Sequence, residues 1–286
     1  MAIVALNMPM RRAARSLAPL LLIVAHVLWR RWFYGEWLPN TYFAKKVGSF
    51  PASGARYLAS FVLEYALWLP AALALAAAIR HRLVPRNWRS PRLLAGLAVV
   101  AHVGYYTFNI GGDHFEYRIY SYLVPLLVVG LVWAVTRLTD DRRLAIGLVF
   151  TSLGLSAVIP SIHLSVSRQQ TTWEPRLVHN PVAPHLPAPA SAYAAVFDDL
   201  QVWLHERGVG MRHQSHKLFW EHMVDYLPSR TEGSAAFDGV ENPVVQTSGV
   251  GVVGWVFARA HLLDYYGLND WVVARTPPLP EHIEHM

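Results

Sequence analysis

The sequence predicts a helical membrane protein with about five transmembrane helices and a small extracytoplasmic carboxy-terminal domain of the α/β or α+β class. Of its 286 residues, 53% are hydrophobic and only 15% are charged, whereas about a quarter of the residues in a soluble domain are charged. Several apolar segments approach the roughly 20 residues that a helix needs to cross a bilayer. The arginines cluster at the ends of these segments, so membrane topology explains the net charge of +6 and we expect no nucleic acid partner.

About five apolar segments are candidates for membrane spans. The first is the weakest, because its apolar part ends at Trp29 and the side chains of Arg30 and Arg31 must reach the interface. Prolines inside the later segments are acceptable, since neighbouring groups in a membrane can satisfy the backbone groups that a proline leaves free. The segments comprise approximately residues 17–33, 57–79, 93–110, 119–135 and 144–164.

The distribution of basic residues predicts the orientation, because the flanks richer in arginine and lysine are expected to be cytoplasmic. The richer flanks hold Arg11, Arg12, Arg15, Arg80, Arg82, Arg86, Arg89, Arg92, Arg137, Arg142 and Arg143. The opposite flanks hold Arg30, Arg31, Lys45, Lys46, Arg56 and Arg118. We therefore expect a multi-pass protein of the bacterial plasma membrane, with a cytoplasmic amino terminus. The loops 34–56 and 111–118 and everything after residue 164 would then be extracytoplasmic.

The chain changes character after the last apolar segment. Residues 165–190 are rich in proline and polar residues, which predicts a linker. Residues 191–206 carry apolar side chains at helical spacing, and residues 244–246 and 261–264 resemble short strands. We expect a transmembrane domain at 1–164, a linker at 165–190 and an extracytoplasmic domain at 191–286.

A polar motif follows the third apolar segment, after a pair of glycines that permits a sharp turn. Asp113, His114, Glu116 and Arg118 lie close together in the chain and are expected near the lipid headgroups. Two neighbouring carboxylates can supply a general base or hold a divalent cation together. Arg118 can bind a phosphate with its fork of donors. The alternative interpretation is a solvated turn whose charges pair among themselves.

A second polar motif, residues 36–46, follows the first apolar segment. Its proline fixes a bend, and Asn40 can satisfy amides of the turn. Lys45 can bind phosphate, and aromatic side chains such as Trp37 and Tyr42 offer faces on which sugars stack. The alternative is an interfacial helix that only lies on the membrane.

Ionisable residues inside apolar segments are costly and need partners. Glu64 and His102 are such residues, and we expect a hydrogen bond between them. His213, His216 and His222 suggest a metal cluster, but their spacing matches no strong ligand pattern. The chain has no cysteine, which excludes thiolate metal sites. The metal requirement is left open.

Three motifs in this order resemble those of bacterial GT-C-type membrane glycosyltransferases, in particular the arabinofuranosyltransferase-like group. They are EWLPNTYFAK at 36–45, GGD at 111–113 and LLDYYGLND at 262–270, and the resemblance covers most of the chain from about Arg12 onward. It implies transfer of a sugar from a polyprenyl-phosphate donor to an extracytoplasmic glycan or lipid acceptor. In that class an acidic residue in the first external loop is usually the catalytic base, and more spans precede these motifs. This chain therefore resembles the carboxy-terminal part of such an enzyme, with only Glu36 in its first external loop.

On this hypothesis the catalytic residues are Asp113 and Glu116, which provide acid/base chemistry or bind a divalent cation. The substrate-binding residues are Trp37, Asn40, Tyr42, Lys45, His114 and Arg118, with Lys45 and Arg118 on the donor phosphate. The alternative function is a non-catalytic membrane module that binds lipid-linked glycan or a partner enzyme. A transporter is less favoured, because no inverted repeat is evident.

Overall fold

The structure is a computed structural model that describes residues 9–44, 48–82, 90–173 and 180–276. The chain divides into two compact units, which we describe separately. The central unit is Ser49–Leu218, and the split unit combines Met1–Gly48 with Phe219–Met286. These bounds do not coincide with the predicted boundaries at 164 and 190. Residues 165–190, predicted as a linker, belong to the central unit, where Asn180 and Val182 are buried.

Helices make up most of the described chain. In chain order they are α1 Met10–Leu17, α2 Leu21–Tyr34, α3 Asn40–Ala44, α4 Pro51–Glu64, α5 Trp68–Arg80, α6 Pro91–Gly104, α7 Val124–Leu138, α8 Arg142–Ser167, α9 Ala190–His205, α10 His213–Asp225, α11 Arg230–Ala235 and α12 Val250–Val256. The described strands are β1 Val244–Thr247 and β2 His261–Asp264. Short 3₁₀ turns occur at Ala18–Leu20, Arg118–Leu123, Ala183–His185 and Val273–Arg275, and a π turn at Tyr105–Ile110 extends α6.

Three helical segments are long and apolar enough to cross a membrane: Leu93–Ile110, Arg118–Leu138 and Arg142–Ser167. They confirm the helical segments predicted at 93–110, 119–135 and 144–164. The helices α4 and α5 pass the same test when taken together. The described residues therefore contain three such helices, or up to four if the bent pair is one span, and the chain has the character of a membrane protein.

The predicted second span, residues 57–79, is broken rather than straight. Its two helices, α4 and α5, meet at an angle of 87°. Pro70 explains the position of the break, because it lies in the first turn of α5, where no helical partner for its missing N–H is needed. Ala66 in the connection has a φ of 47°, which no helix accommodates. The sequence interpretation overlooked this proline.

The predicted first span, residues 17–33, is not among the helices long and apolar enough to cross a membrane. The chain is helical from Met10 to Tyr34, but a 3₁₀ turn around Pro19 separates α1 from α2. Helix α2 has 14 residues and ends with a basic and aromatic turn, so its apolar run is short. The described residues therefore support three to four of the about five spans that the sequence predicts.

The basic ends of two helices lie together in the central unit. Arg80 Nη1 donates a 2.6 Å hydrogen bond to the carbonyl oxygen of Leu138, and a ring nitrogen of His81 lies 2.6 Å from the carbonyl oxygen of Arg137. The end of α5 and the end of α7 are therefore adjacent. That these basic ends face the cytoplasm stays a prediction of the sequence.

The core of the central unit is aromatic. Its buried members are Tyr57, Phe61, Tyr117, Tyr120, Leu123 and Leu204. Helix α4 contributes the first two residues and α9 the last. Helix α9 confirms the helix predicted at 191–206 to within one residue at each end. Helix α9 thus packs through Leu204 against the aromatic residues of α4 and of the segment 117–123.

The split unit contains a small β-α-β motif. Strands β1 and β2 are parallel and in register from Val244 opposite His261 to Thr247 opposite Asp264, and α12 connects them. They confirm the strands predicted at 244–246 and 261–264. Helix α11 begins with a capping box in which Ser229 and Glu232 satisfy each other's backbone amides. A Cβ atom at Gly233 would clash with Val256 of α12, so these two helices pack closely.

Candidate functional site

The turn after the third apolar segment has the sharp geometry that its glycine pair predicts. Gly111 and Gly112 have φ angles of 87° and 103°, a region that favours glycine. A Cβ atom would clash with Phe50 at the first position and with Tyr57 at the second. The Tyr57 hydroxyl donates a 2.9 Å hydrogen bond to the carbonyl oxygen of Phe115. Packing against α4 therefore holds this turn in one conformation.

The turn also pairs with a distant part of the chain. The amides of Gly210 and Met211 donate to the carbonyl oxygens of Asp113 and His114 at 2.9 and 2.8 Å. The Glu116 amide donates back to the carbonyl oxygen of Met211 at 3.0 Å. This short parallel pairing places Arg212, the next residue of the second segment, beside the polar motif.

Asp113 and Arg118 form an ion pair with each other. Arg118 Nε lies 2.7 Å from Asp113 Oδ2, and Arg118 Nη2 lies 2.9 Å from Asp113 Oδ1, so the pair is bidentate. The Arg118 side chain keeps 56% of its surface exposed, and its guanidinium lies 4.6 Å from the centre of the Phe115 ring. Both Asp113 oxygens are engaged, while Arg118 still faces solvent.

Glu116 occupies a different environment, although it lies only three residues further on. Its carboxylate accepts a hydrogen bond from Arg212 Nη1, and 23% of its side chain is exposed. Burial raises the pKa of Glu116 to about 7, because the opposing charge of Arg212 offsets only part of that effect and the charge of Glu64 adds to it. A carboxyl with this pKa can accept or release a proton near neutral pH.

Arg212 connects Glu116 to a fully buried carboxylate. Its Nη2 atom donates to both oxygens of Glu64 at 2.8 Å each, and it also contacts His163 Nδ1. Glu64 has no exposed surface. The Glu64–His102 hydrogen bond predicted from the sequence is therefore wrong. The ring of His102 packs against other aromatic rings, and Glu64 has the stronger cation of Arg212 as its partner.

Sequence reasoning missed Arg212 and His163 as members of this cluster. Arg212 is 148 residues from Glu64 and 96 residues from Glu116 along the chain. No motif or periodicity connects these positions. The one available signal was that a glutamate in an apolar segment needs a cationic partner, and that signal does not select one arginine among many.

A cleft of about 260 Å³ opens beside Glu116. It is lined by Phe115, Glu116, Arg118, Met211 and His213. The cleft therefore brings a titratable carboxyl, an exposed guanidinium and an imidazole to one place.

The histidines around the cleft do not converge on a point. His216 stacks on Phe115, with ring centres 4.2 Å apart, and its ring centre lies 4.5 Å from that of His114. Burial, together with the neighbouring His114, lowers the pKa of His216 to about 4, so His216 is neutral at pH 7. His222 belongs to the split unit, where its ring packs edge-on against that of Tyr226. Within the described ranges no group of three or more histidine, aspartate and glutamate side chains is placed to hold a metal ion.

The remaining predicted site residues belong to the split unit. Asn40 Oδ1 accepts a 2.9 Å hydrogen bond from Arg275, and Tyr42 packs edge-on against Phe43. Trp37 is 54% exposed. Lys45 lies outside the described residues. The predicted site is thus divided: His114, Glu116 and Arg118 come together with Asp113 in the central unit, and Trp37, Asn40 and Tyr42 lie in the split unit.

The fold and this cluster define a helical membrane protein with a carboxylate–arginine network, in which Arg212 joins Glu64 at the end of α4 to Glu116 in the turn that precedes the span Arg118–Leu138. Comparison with protein-family models, with curated proteins and with solved structures gives no match. Its function is therefore inferred from the chemistry of its own residues.

Proposed function

We propose that this protein is a membrane glycosyltransferase that moves a sugar from a polyprenyl-phosphate donor to an extracytoplasmic glycan or lipid acceptor. The observation that carries the proposal is the cleft in which Glu116, with a pKa of about 7, lies near the exposed Arg118 between two apolar spans. A site between membrane spans suits a donor whose prenyl chain stays in the lipid. The motifs at 36–45, 111–113 and 262–270 support a sugar as the transferred group.

Glu116 would act as the general base. It takes the proton from the acceptor hydroxyl while that oxygen forms a bond to the anomeric carbon of the donor. The bond between the anomeric carbon and the phosphate oxygen breaks, and the polyprenyl phosphate leaves with the electron pair. Because the pKa of Glu116 is about 7, its proton returns readily to water after each turnover.

Arg118 would stabilise the negative charge that develops on the leaving phosphate, with His213 as a second donor in the cleft. Asp113 then positions Arg118 through their bidentate pair rather than acting as the base itself. The cleft volume of about 260 Å³ is small for a ligand site, which suits a single sugar residue. Trp37, Asn40, Tyr42, Lys45 and a divalent cation remain proposed contributors to donor binding.

The test is sugar transfer by the purified protein in lipid nanodiscs, with a radiolabelled polyprenyl-phosphate sugar and with or without a chelator. We expect Glu116→Gln to reduce the rate by about 100-fold or more, which is typical for loss of a general base. The wild-type rate should rise with pH around a midpoint near 7, because the base must be deprotonated. In Glu116→Gln this rise should disappear.

Asp140→Asn is the matched control, because Asp140 is an exposed carboxylate of the same unit that lies in the connection between α7 and α8 and does not line the cleft. It should transfer sugar at the wild-type rate. Equal transfer by wild type and Glu116→Gln would exclude Glu116 as the base.

A second function is favoured by one observation, the engagement of both Asp113 oxygens by Arg118. A non-catalytic module that binds lipid-linked glycan or a partner enzyme needs charges complementary to those of its ligand, but it needs no carboxylate that is free to take a proton. It would bind the polyprenyl-phosphate sugar without turnover. Measurable transfer by the isolated chain would rule it out.

A further inference from the structure

Helix α2 of the split unit is apolar and exposed on every side. None of its 14 residues is buried, and Leu22, Trp32 and Phe33 are 73%, 79% and 60% exposed. A helix with this surface is stable in lipid rather than in water. Its last turns contain tryptophan, tyrosine and arginine, which are the residues enriched at the membrane–water interface. The carboxy-terminal end of α2 therefore marks the level of the lipid headgroups.

The chain near this end of α2 is held by the carboxy-terminal part of the same unit. Glu36, one residue after the glycine that ends α2, accepts a 3.0 Å hydrogen bond from Arg275 Nη2. Arg275 Nη1 donates to Asn40 Oδ1 at 2.9 Å, and the guanidinium lies 4.2 Å from the ring centre of Phe43. We call these contacts the Arg275 clasp. The Arg275 clasp therefore holds the segment that ends at Arg275 next to the carboxy-terminal end of α2, at the depth of the lipid headgroups.

The clasped segment, residues 265–275, carries large exposed side chains, and we call it the aromatic segment. Its most exposed members are Tyr265 at 56%, Tyr266 at 53%, Trp271 at 57% and Val272 at 65%. The nearby carboxylates are engaged: Asp264 accepts hydrogen bonds from three backbone amides, and Asp270 accepts one from the Val273 amide. Arg275 is the basic residue of the aromatic segment, and its guanidinium lies 4.5 Å from the ring centre of Trp271.

We propose that the aromatic segment inserts into the headgroup–acyl boundary of the bilayer and anchors the carboxy-terminal part of the chain there. Tryptophan and tyrosine favour this layer because each combines an apolar ring with a polar N–H or O–H group. Continuity with the lipid-exposed α2 through the Arg275 clasp selects lipid as the occupant rather than a soluble partner. The anchor does not depend on the proposed sugar transfer.

The test uses the fact that the chain contains no cysteine. Val272→Cys places a single nitroxide label on the aromatic segment, and Val240→Cys places one at an exposed position of the same unit as the control. The full-length protein is reconstituted in phosphatidylethanolamine–phosphatidylglycerol vesicles. Collisions with oxygen, which concentrates in lipid, are compared with collisions with a water-soluble nickel chelate. We expect an oxygen-to-nickel ratio several-fold higher at residue 272 than at residue 240.

An equal or lower ratio at residue 272 would overturn the proposal. Dipolar broadening between labels at residue 272 would also overturn it, because the segment would then pack on a second copy of the chain. In an Arg275→Gln background the ratio at residue 272 should fall towards that at residue 240, and an unchanged ratio would refute the role of the clasp. The Val272→Cys variant keeps the Arg275 clasp. It therefore tests whether the aromatic segment inserts into the bilayer even if Arg275→Gln disturbs the fold.

Discussion

Arg212 neutralises a carboxylate that would otherwise be an isolated charge inside the protein. Its Nη2 atom meets both oxygens of Glu64, and only 10% of the Arg212 side chain is exposed. Loss of one partner of a buried ion pair typically costs about 3–5 kcal/mol, because the other charge stays buried. Neutral replacement of both partners costs much less. We therefore expect the pair of Arg212 with Glu64 to contribute strongly to the stability of the central unit.

We predict that Arg212→Met lowers the free energy of unfolding by about 3–5 kcal/mol, and that adding Glu64→Gln recovers part of this loss. The measurement is unfolding of the purified protein in mixed micelles with increasing denaturing detergent. Arg207→Met is the control, since Arg207 is 44% exposed in a surface pair with Glu206, and surface changes usually stay within about 0.5 kcal/mol. Similar losses in both arginine variants would contradict the importance of the buried pair.

His216 should make the protein sensitive to acid. Its pKa is about 4 in the folded chain, below the ordinary value of 6.5, because the ring is buried against Phe115 and near other cationic groups. The unfolded state then binds a proton between pH 6.5 and pH 4, while the folded state does not. The stability that the neutral ring provides is complete above pH 6.5 and is lost as the pH falls to about 4.

His216→Phe keeps a stacked ring and removes the titration. We predict that the wild type and this variant differ little in thermal unfolding temperature at pH 7, and that the variant becomes relatively more stable as the pH approaches 4. The raised pKa of Glu116 gives a contribution to stability that is lost as the pH rises, in the opposite direction to that of His216. Because both proteins contain Glu116, comparing them at each pH cancels this contribution. A constant difference across this range would show that burial of His216 has no effect on its protonation.

The sequence could predict those site contacts that lie close in the chain, and not the distant ones. Asp113, His114, Glu116 and Arg118 are neighbours in the chain, so their proximity followed from the motif alone. Arg212 reaches them through backbone pairing of Met211 with the turn. Such pairing between irregular segments leaves no periodic pattern. Asp113 pairs with Arg118, whereas Glu116 pairs with Arg212. This difference in partners could not be predicted without the position of Arg212 in the fold.

At the scale of elements, helix α4 approaches the π turn Tyr105–Ile110 through a glycine. A Cβ atom at Gly54 would overlap the carbonyl oxygen of Thr107, which is backbone and cannot move aside. The Thr107 side chain is buried and lies 3.3 Å from the Tyr120 hydroxyl. This contact therefore positions α4, and with it Tyr57 and Glu64, against the third span.

We predict that Gly54→Ala destabilises the protein by at least about 2 kcal/mol, because overpacking forces backbone shifts. On the proposed function, sugar transfer should fall as well, since α4 carries Tyr57, which supports the turn at Phe115. Gly96→Ala in α6 is the matched control, because nothing lies within 4 Å of its added methyl group. Its free energy of unfolding should change by less than about 1 kcal/mol. Detergent unfolding and the transfer assay on both variants check this, and equal behaviour would contradict the close packing.

Elements were predictable where periodicity or composition was continuous, as in α8, α9 and the two strands. They were misjudged where an apolar run conceals a backbone interruption. Pro70 lies inside an apolar run that predicts one span, yet it belongs to the first turn of α5, a separate helix that begins at Trp68 and makes an angle of 87° with α4. An apolar run predicts that a segment avoids water. A proline within that run predicts where one helix ends and the next begins, because proline lacks the N–H that the helical hydrogen bond needs. Prolines must therefore be considered before an apolar run is assigned to a single span.

At the scale of the whole molecule, the orientation in the membrane depends less on the number of spans than on which helix ends are basic. The adjacent ends of α5 and α7 carry Arg80 and Arg137, and α8 starts at Arg142. If these ends are cytoplasmic, as the excess of arginine predicts, α8 carries the chain outward. Residues after Ser167 are then extracytoplasmic whether or not α1 and α2 cross the membrane.

This orientation can be tested with single cysteines, because the chain has none of its own. Asp140→Cys lies in the exposed connection between α7 and α8, and Glu206→Cys follows α9 in the same unit. In intact spheroplasts we predict that a membrane-impermeant maleimide labels residue 206 and leaves residue 140 unlabelled until the membrane is permeabilised. The reverse pattern would place the Glu206 segment in the cytoplasm. On the proposed function, the acceptor would then have to be a cytoplasmic molecule, because Gly210 and Met211, four and five residues further on, pair with the turn that carries Glu116.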